Sequence, residues 1–262
     1  WRVPPWAPAA RREPAVVVTL PAPPLARAPR VGVKSAFLGG SDGGEGGGGG
    51  PAAPSLSVEA FALRHYLSPA GGGWGRGEHA EGGAWASLFA LLVGCPPAPG
   101  RPTHLDWGTP AFYPPRAAAV EAALAAVAGG GGPAAVLAAW ERRGEETRPS
   151  FLPSPWARFD GPTLASLAAC VGGPGLAAIL GHLARGRGGG MPDLVLWSDG
   201  GSEGGGGGGG GAPGRCLLVE VKGPRDRLSE SQRAWIAALE DASVGVEVLR
   251  VVEKREAVVA KH

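Results

Sequence analysis

Asp193, Glu220 and Lys222 are the residues whose types and spacing carry chemistry. The chain spells Met191-Pro192-Asp193-Leu194-Val195-Leu196-Trp197, then a glycine-rich gap, then Leu217-Leu218-Val219-Glu220-Val221-Lys222. An apolar strand that opens on an acid, followed by one carrying Glu-x-Lys, suits metal-dependent phosphodiester hydrolysis. Side chains alternate along a strand, so Glu220 and Lys222 share one face while Val219 and Val221 enter the opposite layer. Two carboxylates supply the oxygens that a hard cation such as Mg²⁺ or Mn²⁺ requires. A lysine beside them orients water and offsets phosphate charge. The plain alternative is a buried hairpin in which Pro192-Asp193 is merely a turn entering a strand. Glu220 resists it: flanked by Leu217, Leu218, Val219 and Val221, its charge needs a partner.

The residues after Lys222 extend the pattern. Gly223-Pro224-Arg225-Asp226-Arg227-Leu228-Ser229 precedes Gln232, Trp235 and Leu239 at helical spacing, and His79-Ala80-Glu81-Gly82 precedes an apolar segment from Trp85 to Val93. These stretches resemble the virus-type replication-repair nuclease family, a branch of the PD-(D/E)xK superfamily, and within it the Fanconi-associated nucleases. The resemblance covers residues 30–253, with its specific motifs in 79–93 and 185–240. It implies that Mg²⁺ or Mn²⁺ is held by Glu81, Asp193, Glu220 and the Val221 carbonyl. It also sets Gln232 beside the centre, and the catalytic set is then Asp193, Glu220, Lys222 and Gln232. Two departures stand out. The interval between Asp193 and Glu220 is longer than the family's, the excess lying in the 198–214 glycine tract, and Ser231 stands where a basic residue is expected.

Several of these positions have a second reading. Ser229-x-x-Gln232 has the spacing of a capping box, which competes for the Gln232 amide. Glu81 also suits the first turn of a helix as favourable negative charge. His79 has no second histidine at metal-ligand spacing and reads as a packing or DNA-proximal residue. Trp235 shares a helix face with Leu228 and Leu239 and reads as core. Arg185, Arg187, Arg225 and Arg227 flank Asp193 and Lys222, so a fold that joins those two gathers the arginines near one mouth. There they suit DNA phosphates and a 5′ end, because a guanidinium donates two bonds at once. Arg227 can instead pair with Asp226 or cap the next helix.

Composition limits the rest. With 47 Gly and 27 Pro in 262 residues, runs at 46–50, 129–132 and 204–211 read as loop expansions, since each glycine loses maximal backbone entropy on ordering. The formal net charge of +2 is too small to prove nucleic-acid binding, so the distribution of charge matters more. Three cysteines, Cys95, Cys170 and Cys216, show no Cys-x-x-Cys spacing, which argues against a zinc site or disulfide framework and for a reducing compartment. No run of roughly 18 apolar residues reads as a membrane span. The sequence opens on Trp1, which reads as a piece of a longer protein.

The elements that must position these groups follow from periodicity. Ser57 to Leu67 carries a helical stripe of Val58, Phe61, Ala62 and Tyr66, capped by Ser57. Helices are expected over 82–93, 116–128, 134–143, 163–170 and 175–185, strands over 193–197, 216–222 and 246–252, and a helix over 229–240. The predicted class is α/β: a restriction-endonuclease-like core of small mixed sheet flanked by helices, preceded by a helical section. Residues 1–54 read as a linker or the end of a preceding domain, 55–185 as the helical section bearing Glu81, 186–255 as the nuclease core, and 256–262 as a tail.

The resemblance implies a structure-specific 5′-flap endonuclease and 5′-to-3′ exonuclease acting on branched or flapped DNA in interstrand-crosslink repair. It further implies nuclear localisation, with repair-protein partners engaged through an N-terminal region. Motif chemistry alone licenses only metal-dependent phosphodiester hydrolysis. A catalytically idle DNA-binding or partner-docking module, and a Holliday-junction resolvase of the same superfamily, are the alternatives.

Overall fold

Strands form where β-branched and apolar residues cluster, and their pairing decides which carboxylates meet. The computed structural model describes residues 14, 16–22, 36–38, 55–80, 83–96, 106–145, 158–200, 214–224 and 226–253. The strands are β1 (Val17–Ala22), β2 (Ala36–Leu38), β3 (Ser55–Ser57), β4 (Arg76–His79), β5 (Leu194–Ser198), β6 (Arg215–Lys222) and β7 (Gly245–Glu253). The helices are α1 (Val58–Leu67), α2 (Gly83–Leu92), α3 (Ala117–Ala126), α4 (Gly132–Glu145), α5 (Gly161–Val171), α6 (Gly173–Ala184) and α7 (Glu230–Asp241). Five strands make a mixed sheet in the order β1-β7-β6-β5-β4. β5 pairs antiparallel with both β4 and β6, whereas β6 and β7 are parallel and joined through α7.

Alternation along the strands divides the interior into two layers. Leu194, Leu196, Val219, Val221, Leu249 and Val251 pack with Val58, Ala62 and Tyr66 of α1. Val195, Trp197, Leu218, Val246 and Val248 face the layer built by α2 to α7, where Trp85, Phe89 and Phe112 are fully buried. Glu220 and Lys222 share the parity of Leu218 and so lie on the helical side, as the period of two requires.

Two strands of the five-stranded sheet, and the β2–β3 pair, lie outside the strand segments expected from the sequence. Residues 17–22, within the stretch read as a linker or the end of a preceding domain, form β1 and pair parallel with β7 from Val17↔Val248 to Ala22↔Glu253. The β-branched run Val16-Val17-Val18-Thr19 was the available signal, masked by the Pro- and Ala-rich surroundings. Pro21 is tolerated because β1 is an edge strand. β4 carries Arg76-Gly77-Glu78-His79, whose polar residues give no strand alternation. Its position is set by pairing with β5.

The glycines at 129–132 also behave differently from a simple loop. They continue the helical path as a π-type turn over Val127–Gly131, bent where Gly130 takes a left-handed φ of 90°, and Gly132 opens α4. The stretch Pro114–Arg142 is by length and composition alone apolar enough to cross a bilayer, contrary to the sequence expectation. It is bent at Gly130 and turns Val120, Leu124, Val127 and Val136 into the core while its other face is exposed, as in an amphipathic surface helix pair.

His182 on α6 packs its ring 4.8 Å from that of Trp235. Burial, then the charges of Arg187 and Arg185, push its pKa down to about 4. The unfolded chain takes up this proton near pH 6.5, so stability falls as pH drops from 6.5 towards 4 and is flat outside that window. Because the ring is partly solvated, the expected loss between pH 7.5 and 5 is about 1 kcal/mol. His182→Gln should remove that part of the pH dependence of the urea midpoint. Identical pH slopes for the two proteins would count against it.

Candidate active site

β5 and β6 bring the acids together. Leu194 pairs with Val219, so Asp193 at the mouth of β5 falls opposite Glu220. Asp193 Oδ2 accepts the Val221 N–H at 2.7 Å, and its carbonyl accepts the Ala80 N–H at 2.7 Å. The Asp193 side chain thus holds backbone of the neighbouring strand β6 rather than of its own turn.

Glu220 is fully buried and Lys222 is 7% exposed. Lys222 Nζ lies 2.7 Å from Glu220 Oε1, and Gln232 Nε2 donates to the same oxygen at 2.7 Å. Glu220 Oε2 is buried with no hydrogen-bond partner. Burial, then the neighbouring Asp193 charge, raise the Glu220 pKa to about 7 against the opposing pull of Lys222. A buried carboxylate oxygen with no donor, next to a second carboxylate, fits a divalent cation better than it fits a finished ion pair. Among the described residues, no group of three His, Cys, Asp or Glu side chains converges as a metal cluster. Glu81, the expected third carboxylate, lies outside the described residues.

Gln232 resolves its two readings by using both ends of its amide. Oε1 accepts the Ser229 N–H at 2.9 Å and Ser229 Oγ accepts the Gln232 N–H at 3.2 Å, completing the capping box. Nε2 is left to reach Glu220, so the roles do not compete. Gln232→Ala is expected to lower stability by about 1–2 kcal/mol through the lost cap and contact. Gln232→Glu keeps the cap acceptor but sets a carboxylate against buried Glu220, and should be the less stable variant in urea unfolding. Equal stability of Gln232→Glu and wild type would show that the cap alone matters.

The described arginines differ in what holds them. Arg185 at the end of α6 is latched by Glu121 at 2.6 Å, with its guanidinium 4.3 Å from the Tyr113 ring centroid. Sequence reasoning missed this latch because Glu121 and Tyr113 lie more than 60 residues away along the chain. Arg187 gives its carbonyl to Trp235 Nε1 at 2.8 Å. Arg227 is exposed, while the Asp226 carboxylate accepts the Gly223 N–H at 3.0 Å and Ser229 caps α7. Arg225 lies outside the described residues. Trp235 is core, as expected, and His79 pairs with Leu194 in the sheet.

Comparison with known families matches residues 133–253, which contain β5, β6 and α7, to the VRR-NUC domain. The chain carries a VRR-NUC domain. Relatives of the whole chain are larger. Fanconi-associated nuclease 1 homolog from Oryza sativa subsp. japonica is 36% identical over 213 residues, 76% of this chain and 21% of that protein. Fanconi-associated nuclease 1 from Homo sapiens is 34% identical over 224 residues, 77% of this chain and 20% of that protein. The chain thus spans about a fifth of the length of these curated relatives. The solved structure of paFAN1 bound to a 2-nucleotide 5′ flap DNA with a gap has a similar fold. Its TM-score is 0.58 at 21% identity, covering 95% of this chain and 40% of that one. The α/β class, with a five-stranded mixed sheet flanked by helices, agrees with that VRR-NUC fold.

Proposed function

We propose that this chain is the catalytic region of a metal-dependent, structure-specific DNA nuclease. Its activities are 5′-flap endonuclease and 5′-to-3′ exonuclease cleavage in interstrand-crosslink repair in the nucleus. The observation that carries the reading is Glu220, a buried carboxylate with one oxygen unpartnered, facing Lys222 and set opposite Asp193 within a VRR-NUC domain. Asp193, Glu220 and the Val221 carbonyl, with Glu81, are the groups that would hold Mg²⁺ or Mn²⁺. The chemistry a cation supplies when bound there is Lewis acidity, towards a water and towards the nonbridging phosphate oxygens. Lys222 has three ammonium donors and engages Glu220, leaving the others to orient water or phosphate. Gln232 fixes the Glu220 carboxylate from one side, which preorganises the centre.

Contacts to phosphate position a strand and carry no base information, so cleavage should follow DNA structure more than sequence. Arg185, Arg187, Arg225 and Arg227 are proposed as the phosphate contacts. For Arg185 this means exchanging Glu121 for DNA. A panel of 5′ flaps, Holliday junctions and single strands, each with and without a 5′ phosphate, tests the reading. The expected result is preference for flaps, with Arg→Ala variants losing about tenfold more on 5′-phosphorylated flaps. Preferential junction cutting would identify a resolvase. DNA binding without cleavage in Mg²⁺ or Mn²⁺ would identify an idle module.

A further inference from the structure

Beyond Glu220 the sheet carries cations on two neighbouring strands. β6 and β7 run parallel with Lys222 paired to Arg250, and β1 pairs to β7 with Thr19 beside Arg250. Arg250 shares the parity of Val246 and Val248, which pack in the helical layer, so it projects from the same face as Glu220 and Lys222. Lys222, Arg250 and Thr19 thus form one line across three strands. That line lies one side-chain step, about 6–7 Å, past the one that sets Asp193 opposite Glu220.

Like charges on adjacent strands, about 4.8 Å apart at the backbone, are unfavourable unless each is answered. Lys222 is answered by Glu220 at 2.7 Å. The guanidinium of Arg250 donates to the Asp226 carbonyl at 3.4 Å, a long bond that spends one of five N–H donors. Among the described residues no carboxylate forms an ion pair with Arg250. The Asp226 carboxylate accepts the Gly223 N–H instead, at 3.0 Å. Arg250 is only half-buried and Thr19 is exposed, so the line opens to solvent towards the β1 edge. A planar fork with donors to spare, beside a lysine and a hydroxyl, suits the paired oxygens of a phosphate.

We propose that Arg250 forms a second phosphate subsite, holding the phosphodiester next to the one that is cut, with Thr19 at its outer rim. This subsite rests on the nuclease reading above. A strand cut over Asp193 and Glu220 runs its backbone along the line, with Lys222 at the reacting phosphate and Arg250 at its neighbour. The contact carries no base information and fixes the register of the strand over the carboxylates. Local sequence does not announce it, because a loop, α7 and most of β7 separate Lys222 from Arg250 and only the parallel pairing joins them.

The test is binding of 5′-flap DNA to the full chain by fluorescence anisotropy without divalent metal, so that nothing is cut. Arg250→Gln should bind about three- to tenfold more weakly at low salt, and its plot of log affinity against log salt should be shallower by about 0.7–0.9. Arg250→Lys keeps the charge and should restore most of that slope. Single methylphosphonate linkages, each removing one backbone charge, are also placed one phosphate to either side of the cut. One of the two should weaken wild type by a similar factor and leave Arg250→Gln unaffected, since one contact cannot be lost twice. An unchanged salt slope in Arg250→Gln marks a loop pin on Asp226 and overturns the subsite. So does a wild type that neither neutral linkage weakens, a result that needs no folded variant. Cleavage of the same flaps in Mg²⁺ or Mn²⁺ judges the nuclease reading separately. Coupled binding without cleavage upholds the subsite and overturns that reading, and failure to bind any flap overturns both.

Discussion

Asp193→Asn in the full chain is expected to lower flap cleavage by at least about 10³-fold while leaving the fold intact. The amide oxygen can still accept the Val221 N–H that Asp193 Oδ2 holds at 2.7 Å, so the strand pairing survives and only the charge is lost. Lys222→Ala should cost about 10²–10³-fold, the scale of removing one donor aimed at developing charge. It also leaves Glu220, fully buried, without its cation, so some loss of stability accompanies the loss of rate. Lys222→Arg should not rescue, because a planar fork is not a compact point charge. Single-turnover cleavage of a labelled 5′ flap measures both. Wild-type rates in Asp193→Asn would remove the central claim.

Gly190→Ala is expected to cost about 2–3 kcal/mol and about 10²-fold in cleavage, although residue 190 is no catalytic group. Its φ is +88°, which a side chain adopts only under strain. An added Cβ would also sit 2.7 Å from the backbone carbon of Ser231, with the Ser231 Oγ at the same distance. Backbone cannot give way as a side-chain tip can, so either the loop before Asp193 or the capped start of α7 must shift. Each carries one side of the centre: Asp193 on the loop, Gln232 on the helix. Urea unfolding and single-turnover cleavage on the same variant check the two effects. A stable Gly190→Ala protein with impaired cleavage would still support coupling through the loop. A stable protein with wild-type cleavage would sink it.

What could be read along the chain was local. The Asp193 and Glu-x-Lys strands, the alternation that turns Glu220 and Lys222 to one side, and the Ser229–Gln232 cap each depend on neighbours within a few residues. The period of a strand or a helix expresses such neighbours directly. β1 and β4 lacked that signal, because their apolar partners come from β7 and β5 and their own residues are exposed or polar.

The sequence alone determined the chemical types and their faces: two carboxylates and a lysine on strands that could carry them. Only the tertiary structure decided their surroundings. It set Asp193 opposite Glu220, buried Glu220 with one oxygen unpartnered, and let Gln232 serve the cap and the carboxylate together. It also paired Arg185 with Glu121. Desolvation and charge coupling depend on distance through space, and pairs remote along the chain meet only once helices and sheet have packed.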